Sequence, residues 1–355
     1  MTASIPIRNI YYMLSYSYKE LKHSAYQRCG REEFAHIYDL LTEILIIGLK
    51  PLTKRGLYHT YEPHQDILTS VRGKIDINGS IQLALQRRRA LQCEFDEFMA
   101  DNLYNQIIKS TISVLLRQTS VCIAQKTVLK QLYYHFGTVT EFRDVSRINW
   151  KQLTYHQHNQ RYRLLLHICK FIIDCVIIDP SRGTYLLDSF VDTQRMSQLY
   201  ESFVRDYFRY HYPQLKPGSP FIDWQVSDGD VYQLPRMKSD IVLTGAVRSL
   251  IIDTKYYSKS MQQNHDTHKL HSSHLYQMFT YLKNYVAPHH HDVAGLILYA
   301  KTDATVAPNT TVTLSGHRLS VKSLDLNTEF ALIKAQLDAI IQENYGIGDT
   351  RQLQS

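Results

Sequence analysis

Between residues 240 and 257 the chain reads DIVLTGAVRSLIIDTKYY, and no other stretch restricts the possible folds as much. Two short apolar runs, DIVL and LIID, flank TGAVRS, whose glycine permits a turn, so the pattern predicts a β-hairpin. A turn centred between Ala246 and Val247 sets Asp240 opposite Asp253. Directly opposed residues share a sheet face with Cβ atoms ~5 Å apart, and Lys255, two residues beyond Asp253, shares that face as well.

Two carboxylates side by side repel and raise each other's proton affinity unless a cation compensates. Mg2+ would do so, because it takes one or two carboxylates and leaves its other positions to water and substrate phosphate. An ammonium two residues beyond could then orient or deprotonate the attacking water. Acid, acid, x, lysine across a hairpin is therefore a complete set of groups for metal-assisted phosphodiester hydrolysis. Acids and lysines near strand ends are also ordinary surface residues, and spacing alone leaves both readings open.

Two amphipathic segments flank the hairpin. In MSQLYESFVRDYF the residues Met196, Leu199, Tyr200, Phe203 and Tyr207 form a buried helical stripe, with Glu201 on its flank. Glu201 there is either a third carboxylate turned toward the sheet or a solvated acid. In SHLYQMFTYLKNY the stripe is Leu275, Met278, Phe279 and Leu282, while Gln277 and Tyr281 lie one turn apart on a second face. An amide and a phenol suit phosphate or base contacts, and they also suit a plain surface helix.

Around these motifs the second half of the chain alternates: helix 193–210, strand or loop 220–234, strands 240–244 and 249–255, helix 273–285, strands 294–300 and 317–325, helix 328–344. That order predicts an α/β domain with a mixed sheet flanked by helices, from about residue 161 to 355. Residues 1–160 read as a separate domain of mixed helical and β character. Its apolar residues Phe34, Ile37, Tyr38, Leu41, Leu45 and Leu49 recur at helical spacing until Pro51 ends the pattern. Residues 57–85, with β-branched residues and two glycine turns, predict strands in a hairpin or small barrel. Helical spacing returns in 101–118, 123–135 and 161–177.

At 355 residues, such a chain has room for two domains. Its five cysteines are scattered without a CxxC pair, which argues against a disulfide framework and fits a reducing cytoplasm. The opening MTASIPIRNIYYML carries an arginine and no cleavage site, so secretion is not expected. The apolar runs near residues 40–49 and 168–178 are interrupted by Glu43, Lys170 and Asp174, and no membrane span is expected. A formal charge of +7 leans mildly toward a polyanionic partner.

LPRMKSDI (234–241), LIIDTKYY (250–257) and LYQMFTYL (275–282) resemble the nuclease motifs of the McrC family, the endonuclease subunits of McrBC-type restriction systems specific for 5-methylcytosine. IPIRNIYYML (5–14), VRGKID (71–76) and CEFDEFMADNLYNQIIKST (93–111) resemble that family's N-terminal part, so the likeness runs in order along nearly the whole chain.

The resemblance implies a PD-(D/E)xK nuclease fold in the C-terminal half. Asp240 and Asp253 would be metal ligands for Mg2+ and Lys255 the catalytic lysine. Glu201 matches the helix acid, and Gln277 with Tyr281 resembles the QxxxY element of the RecB-like branch. Pro235 departs from the pattern, standing five residues before Asp240 instead of next to it. The resemblance further implies double-stranded, methylated DNA as substrate and a hexameric McrB-like AAA+ GTPase as partner. A β-rich projection, about residues 57–98, would enter that partner's pore and stimulate its hydrolysis, with Arg72, Lys74, Arg87, Arg88 and Arg89 as candidate contacts. A double-strand cut suggests a pair of nuclease domains. Lacking GxxxxGK[ST], the chain is expected to bind no nucleotide itself. Two other functions fit the same motifs: a non-catalytic adaptor that activates an AAA+ ring, and a free-standing RecB-like nuclease.

His265, His268, His271 and His274 fall at intervals of three, and His289, His290 and His291 form a triplet. Zinc binding is one reading. A phosphate-contacting loop for the first group and a solvated connection for the triplet are simpler.

Overall fold

The computed structural model describes residues 5–34, 36–174, 176–179, 184–187, 193–230, 232–256, 262–264, 267–288, 292–301 and 308–348. Two compact units divide the chain, His36–Leu187 and a discontinuous one made of Met1–Ala35 with Asp188–Ser355.

The discontinuous unit begins with α1 (Ile7–Ser17) and the short α2 (Ser24–Gln27). Buried Asn9 explains why the N-terminus belongs here: its Nδ2 donates to the carbonyls of Leu326 at 2.9 Å and Thr328 at 2.7 Å. Tyr12 stacks on Phe330 with ring centroids 4.6 Å apart. The opening motif is thus part of the C-terminal unit's core, whereas sequence order had suggested the first domain.

The continuous unit holds α3 (Ile37–Arg55), β1 (Thr60–Leu68), β2 (Lys74–Asp76), α4 (Ile77–Leu85), β3 (Leu91–Met99), α5 (Leu103–Arg117), α6 (Ile123–Tyr134), α7 (Tyr162–Asp174), β4 (Val176–Asp179) and β5 (Thr184–Leu187). Helix α3 continues through Pro51 to Arg55, because Leu52 in the last turn is buried and Gly56, at φ 92°, ends it. Helices α3, α5, α6 and α7 pack together, so the expected boundary near residue 160 falls ahead of a helix that belongs to this unit. Tyr162 on α7 donates to Asn105 Oδ1 at 2.8 Å, and Asn105 Nδ2 donates to the carbonyls of Tyr58 and Ala100 at 2.8 and 2.7 Å. The DNLYNQ stretch is therefore the joint between the helices and a small antiparallel sheet of order β1-β3-β2.

That projection is less purely β than its sequence suggests. INGSIQLAL forms α4, because the Asp76 carboxylate accepts from the N–H groups of Asn78 and Gly79 at 3.1 and 3.3 Å and so caps the helix. Gly79 leaves room for the Gln92 side chain, whose Oε1 would stand 2.0 Å from a Cβ there.

The C-terminal part of the discontinuous unit runs α8 (Thr193–His211), β6 (Phe221–Ile222), β7 (Met237–Lys238), β8 (Ile241–Thr244), β9 (Arg248–Tyr256), β10 (Gln262–Asn264), β11 (Thr267–Lys269), α9 (Ser272–Asn284), β12 (Asp292–Lys301), β13 (Thr310–Leu314), β14 (His317–Asp325) and α10 (Phe330–Tyr345). Five strands form one mixed sheet of order β13-β14-β12-β9-β8, parallel between β14, β12 and β9 and antiparallel at both edges. The β8–β9 hairpin has the register read from the sequence, from Ile241 opposite Ile252 to Thr244 opposite Ser249. Helix α9 covers the face that carries Ile251, Ile297, Leu319 and Val321. Gly295 lets it approach, because a Cβ there would lie 2.9 Å from Met278 Sδ. On β9 the alternate face carries Tyr256, whose ring lies 6.4 Å from Tyr200 of α8. Among the described residues no helix is long and apolar enough to cross a membrane.

Candidate active site

The centre of β9 is fully buried at Leu250, Ile251 and Ile252, and the apolar run ends abruptly in Asp253, which is 1% exposed. A carboxylate so placed costs free energy unless it is paired or ligated. Lys255 Nζ stands 2.8 Å from Asp253 Oδ2, a close ion pair, and apart from it the two Asp253 oxygens have no partner among the described residues. Burial, the largest influence, raises its pKa to about 6. Lys255 opposes that rise, and the charges of Asp240 and Glu201 add to it.

Asp240 lies at the bend just ahead of β8, one residue before the last ladder pair, Ile241 with Ile252, and its charge acts on Asp253. Thr254 fixes it: its N–H and its hydroxyl donate to Asp240 Oδ2 at 2.7 and 2.8 Å. Oδ1 makes none of the described hydrogen bonds.

Helix α9 completes the site. Lys255 Nζ donates to Gln277 Oε1 at 2.9 Å, Gln277 Nε2 donates to the Tyr281 hydroxyl at 2.8 Å, and that hydroxyl donates to the Lys238 carbonyl at 2.9 Å. The chain runs from the buried acid through the lysine, the amide and the phenol to the strand that precedes Asp240. Burial raises the pKa of Tyr281, so it remains a neutral donor.

Glu201, on α8, approaches from the other side of the sheet. Arg205 donates to it at 3.0 Å. Burial first and the charge of Asp240 second raise its pKa, against the opposing pull of Arg205 and Lys238. Asp253, Lys255, Gln277 and Tyr281 are thus joined by contacts, while Asp240, held by Thr254, and Glu201 act on Asp253 through their charges.

A divalent cation suits this donor set. A buried carboxylate paired with a lysine, near a second whose Oδ1 makes none of the described hydrogen bonds, suits Mg2+, which takes one or two carboxylates and keeps several waters. Among the described residues no group of three His, Cys, Asp or Glu side chains is placed to hold a metal ion, so the expected trio of Asp240, Asp253 and Glu201 does not close around one point, and the two aspartates are left as the candidate ligands. His265 and His289 to His291 lie outside the described residues, His268 is on β11, and His271 and His274 begin α9.

Arg72, Lys74 and Arg87 to Arg89 all belong to the β1–β3 unit. Arg72 lies over the Phe95 ring at 3.9 Å and 3.7 Å from Glu97. Around them stand exposed apolar side chains: Ile77, Ile81 and Leu85, one turn apart along α4, are 69%, 53% and 80% exposed, and Tyr61 and Phe98 pair across β1 and β3 with rings 4.9 Å apart.

Sequence reasoning overlooked Thr254, which spacing presents only as the residue between an acid and a lysine, and the pair His274 and Tyr299, which only strand register brings together.

The model of the McrBC 5-methylcytosine restriction system component family matches residues 7–300, a span that holds every residue of this site. The chain belongs to that family. It is 26% identical over 343 residues to an Escherichia coli (strain K12) protein described as type IV methyl-directed restriction enzyme EcoKMcrBC, covering 96% of this chain and 98% of the relative. Its fold is similar to a chain in the solved half-complex from a tetradecameric assembly of Thermococcus gammatolerans McrB AAA+ hexamers with bound McrC. That match has a TM-score of 0.53 and 18% identity, and it covers 95% of this chain and 76% of the other. The mixed α/β fold expected from the sequence is thus found both in the strand order and in this similarity.

Proposed function

We propose that this chain is the Mg2+-dependent endodeoxyribonuclease subunit of a modification-directed restriction complex, cutting double-stranded DNA with an AAA+ GTPase ring as partner. One observation carries the chemistry: the Asp253 carboxylate is buried, with the Lys255 ammonium at 2.8 Å and the charge of Asp240 acting on it. Asp240 and Asp253 would hold the cation, with Glu201 as a further acid. When bound, it supplies charge stabilisation for the phosphate oxygens and a more acidic water. Lys255, held by Gln277, orients the attacking water as a hydrogen-bond donor and stabilises the hydroxide that forms from it. Gln277 and Tyr281 tie α9 to Lys238, two residues before Asp240, so the lysine and both acids keep one geometry.

The partner reading draws on the relative's methyl-directed restriction and on McrB hexamers with bound McrC. The exposed apolar groups of α4, β1 and β3 support this projection as the docking element. GTP chemistry belongs to the ring, and reading of the modified base belongs elsewhere in the complex. The site of action would be the cytoplasm, where DNA and ring meet.

Lys255→Ala is expected to lower cutting by about 10³-fold or more, with partner binding and GTPase stimulation intact. DNA cleavage and GTP hydrolysis measured on one reconstituted complex check this. Normal cutting by Lys255→Ala would refute the assignment, and GTPase stimulation by a wild type that never cuts would identify an adaptor.

A further inference from the structure

Beside the Asp253–Lys255–Gln277 chain lies a second buried polar pair that the hydrolysis above does not use. Tyr299 on β12 is in register with Lys255 on β9, so the two side chains leave the sheet on one face, a strand spacing of ~4.8 Å apart. Tyr299 is 1% exposed. Its hydroxyl shares a 2.7 Å hydrogen bond with Nδ1 of His274, a buried residue in the first turn of α9. One turn further along, Gln277 accepts from Lys255. Helix α9 is therefore joined to the two central strands at consecutive points, His274 to β12 and Gln277 to β9.

Burial, then the charge of Lys255, then His271, lower the pKa of His274 to about 4, so the ring is neutral near pH 7. A neutral imidazole can hold Tyr299 without adding a second positive charge next to Lys255.

We infer that His274 and Tyr299 are positioning residues, a brace that sets the separation of α9 from the β9–β12 pair so that Gln277 keeps Lys255 directed at Asp253. Lysine has a long flexible stem, and an error of about 1 Å in a reacting group can cost on the order of a hundredfold in rate. This inference rests on the nuclease reading.

Its test uses the full chain in complex with the AAA+ partner, with Mg2+ and DNA, under saturating substrate. His274→Leu and Tyr299→Phe should each lower kcat about tenfold or more, with DNA KM, GTPase stimulation and melting temperature little changed. Because both remove the same shared bond, the double variant should lose much less than the product of the two single losses. His274→Asn, whose amide can occupy the place of Nδ1, should restore kcat to within about threefold of wild type. The brace is overturned if Asn is no better than Leu, if Tyr299→Phe cuts normally, or if kcat falls only together with folding or DNA binding. Should His274→Leu fail to fold, Tyr299→Phe decides alone. Lys255→Ala is measured alongside: normal cutting by it sinks the nuclease reading itself, whereas its inactivity beside an unaffected Tyr299→Phe sinks only the brace.

Discussion

The end of β9 and the α4 projection break the usual inside-outside rule in opposite directions. At β9 a carboxylate and an ammonium are drawn into an apolar core, and at α4 isoleucine and leucine side chains are left in water. Under the proposed function each arrangement would be relieved by something that binds: a cation and a phosphate in one case, an apolar surface in the other. The contrast teaches where to look for chemistry and where to look for assembly.

Placing charge on the projection would break the contrast most severely. Ile81→Asp combined with Leu85→Asp should weaken binding of the AAA+ partner by about a hundredfold, since two apolar anchors are replaced by charges that must be desolvated. Chain stability should hardly move, because both side chains are already exposed. Titration of partner binding alongside thermal unfolding checks both halves.

Removing the charge at β9 sharpens it from the other side. The folded pKa of Asp253, about 6, lies above its ordinary value of 3.8, so ionisation opposes folding. That cost is absent below about pH 3.8 and fully present above about pH 6, so wild-type stability falls as pH rises through this window. Asp253→Asn should therefore unfold roughly 2 to 3 kcal/mol less readily than wild type at pH 7 without divalent cations, and no differently below pH 4. Urea unfolding at the two pH values checks this, and the same variant should not cut DNA. A stabilised but inactive enzyme is the pattern expected where function is held against stability.

The smallest effect belongs to the exposed charges of the projection. Arg72→Ala should change stability by no more than about 0.5 to 1 kcal/mol, since its partners Glu97 and Phe95 engage it at the surface. A larger loss in denaturant titration would mean that the projection depends on this contact for its fold.

Much of the site was legible because hairpin register follows from a turn and two apolar runs, both local. Asp240, Asp253 and Lys255 could be set face to face without knowing anything else, and the four observed pairs of the ladder keep that register. Gln277 and Tyr281 were legible as neighbours one turn apart, but not as the lysine's acceptor and the phenol that ties α9 to Lys238. Helix α4 was misread for a local reason as well: Asn78, Gly79 and Ser80 are weak helix formers, and the Asp76 cap together with packing on β3 outweighs them.

By itself the sequence determined the order of the elements, the hairpin and the membership of its chemical groups, because periodicity and turn residues act between near neighbours. Tertiary structure alone decided that the first 35 residues complete the C-terminal unit through Asn9, that α7 joins the other unit, and that His274 meets Tyr299 beside Lys255. Those choices depend on which faces bury each other across long separations in the chain, and no local pattern records that.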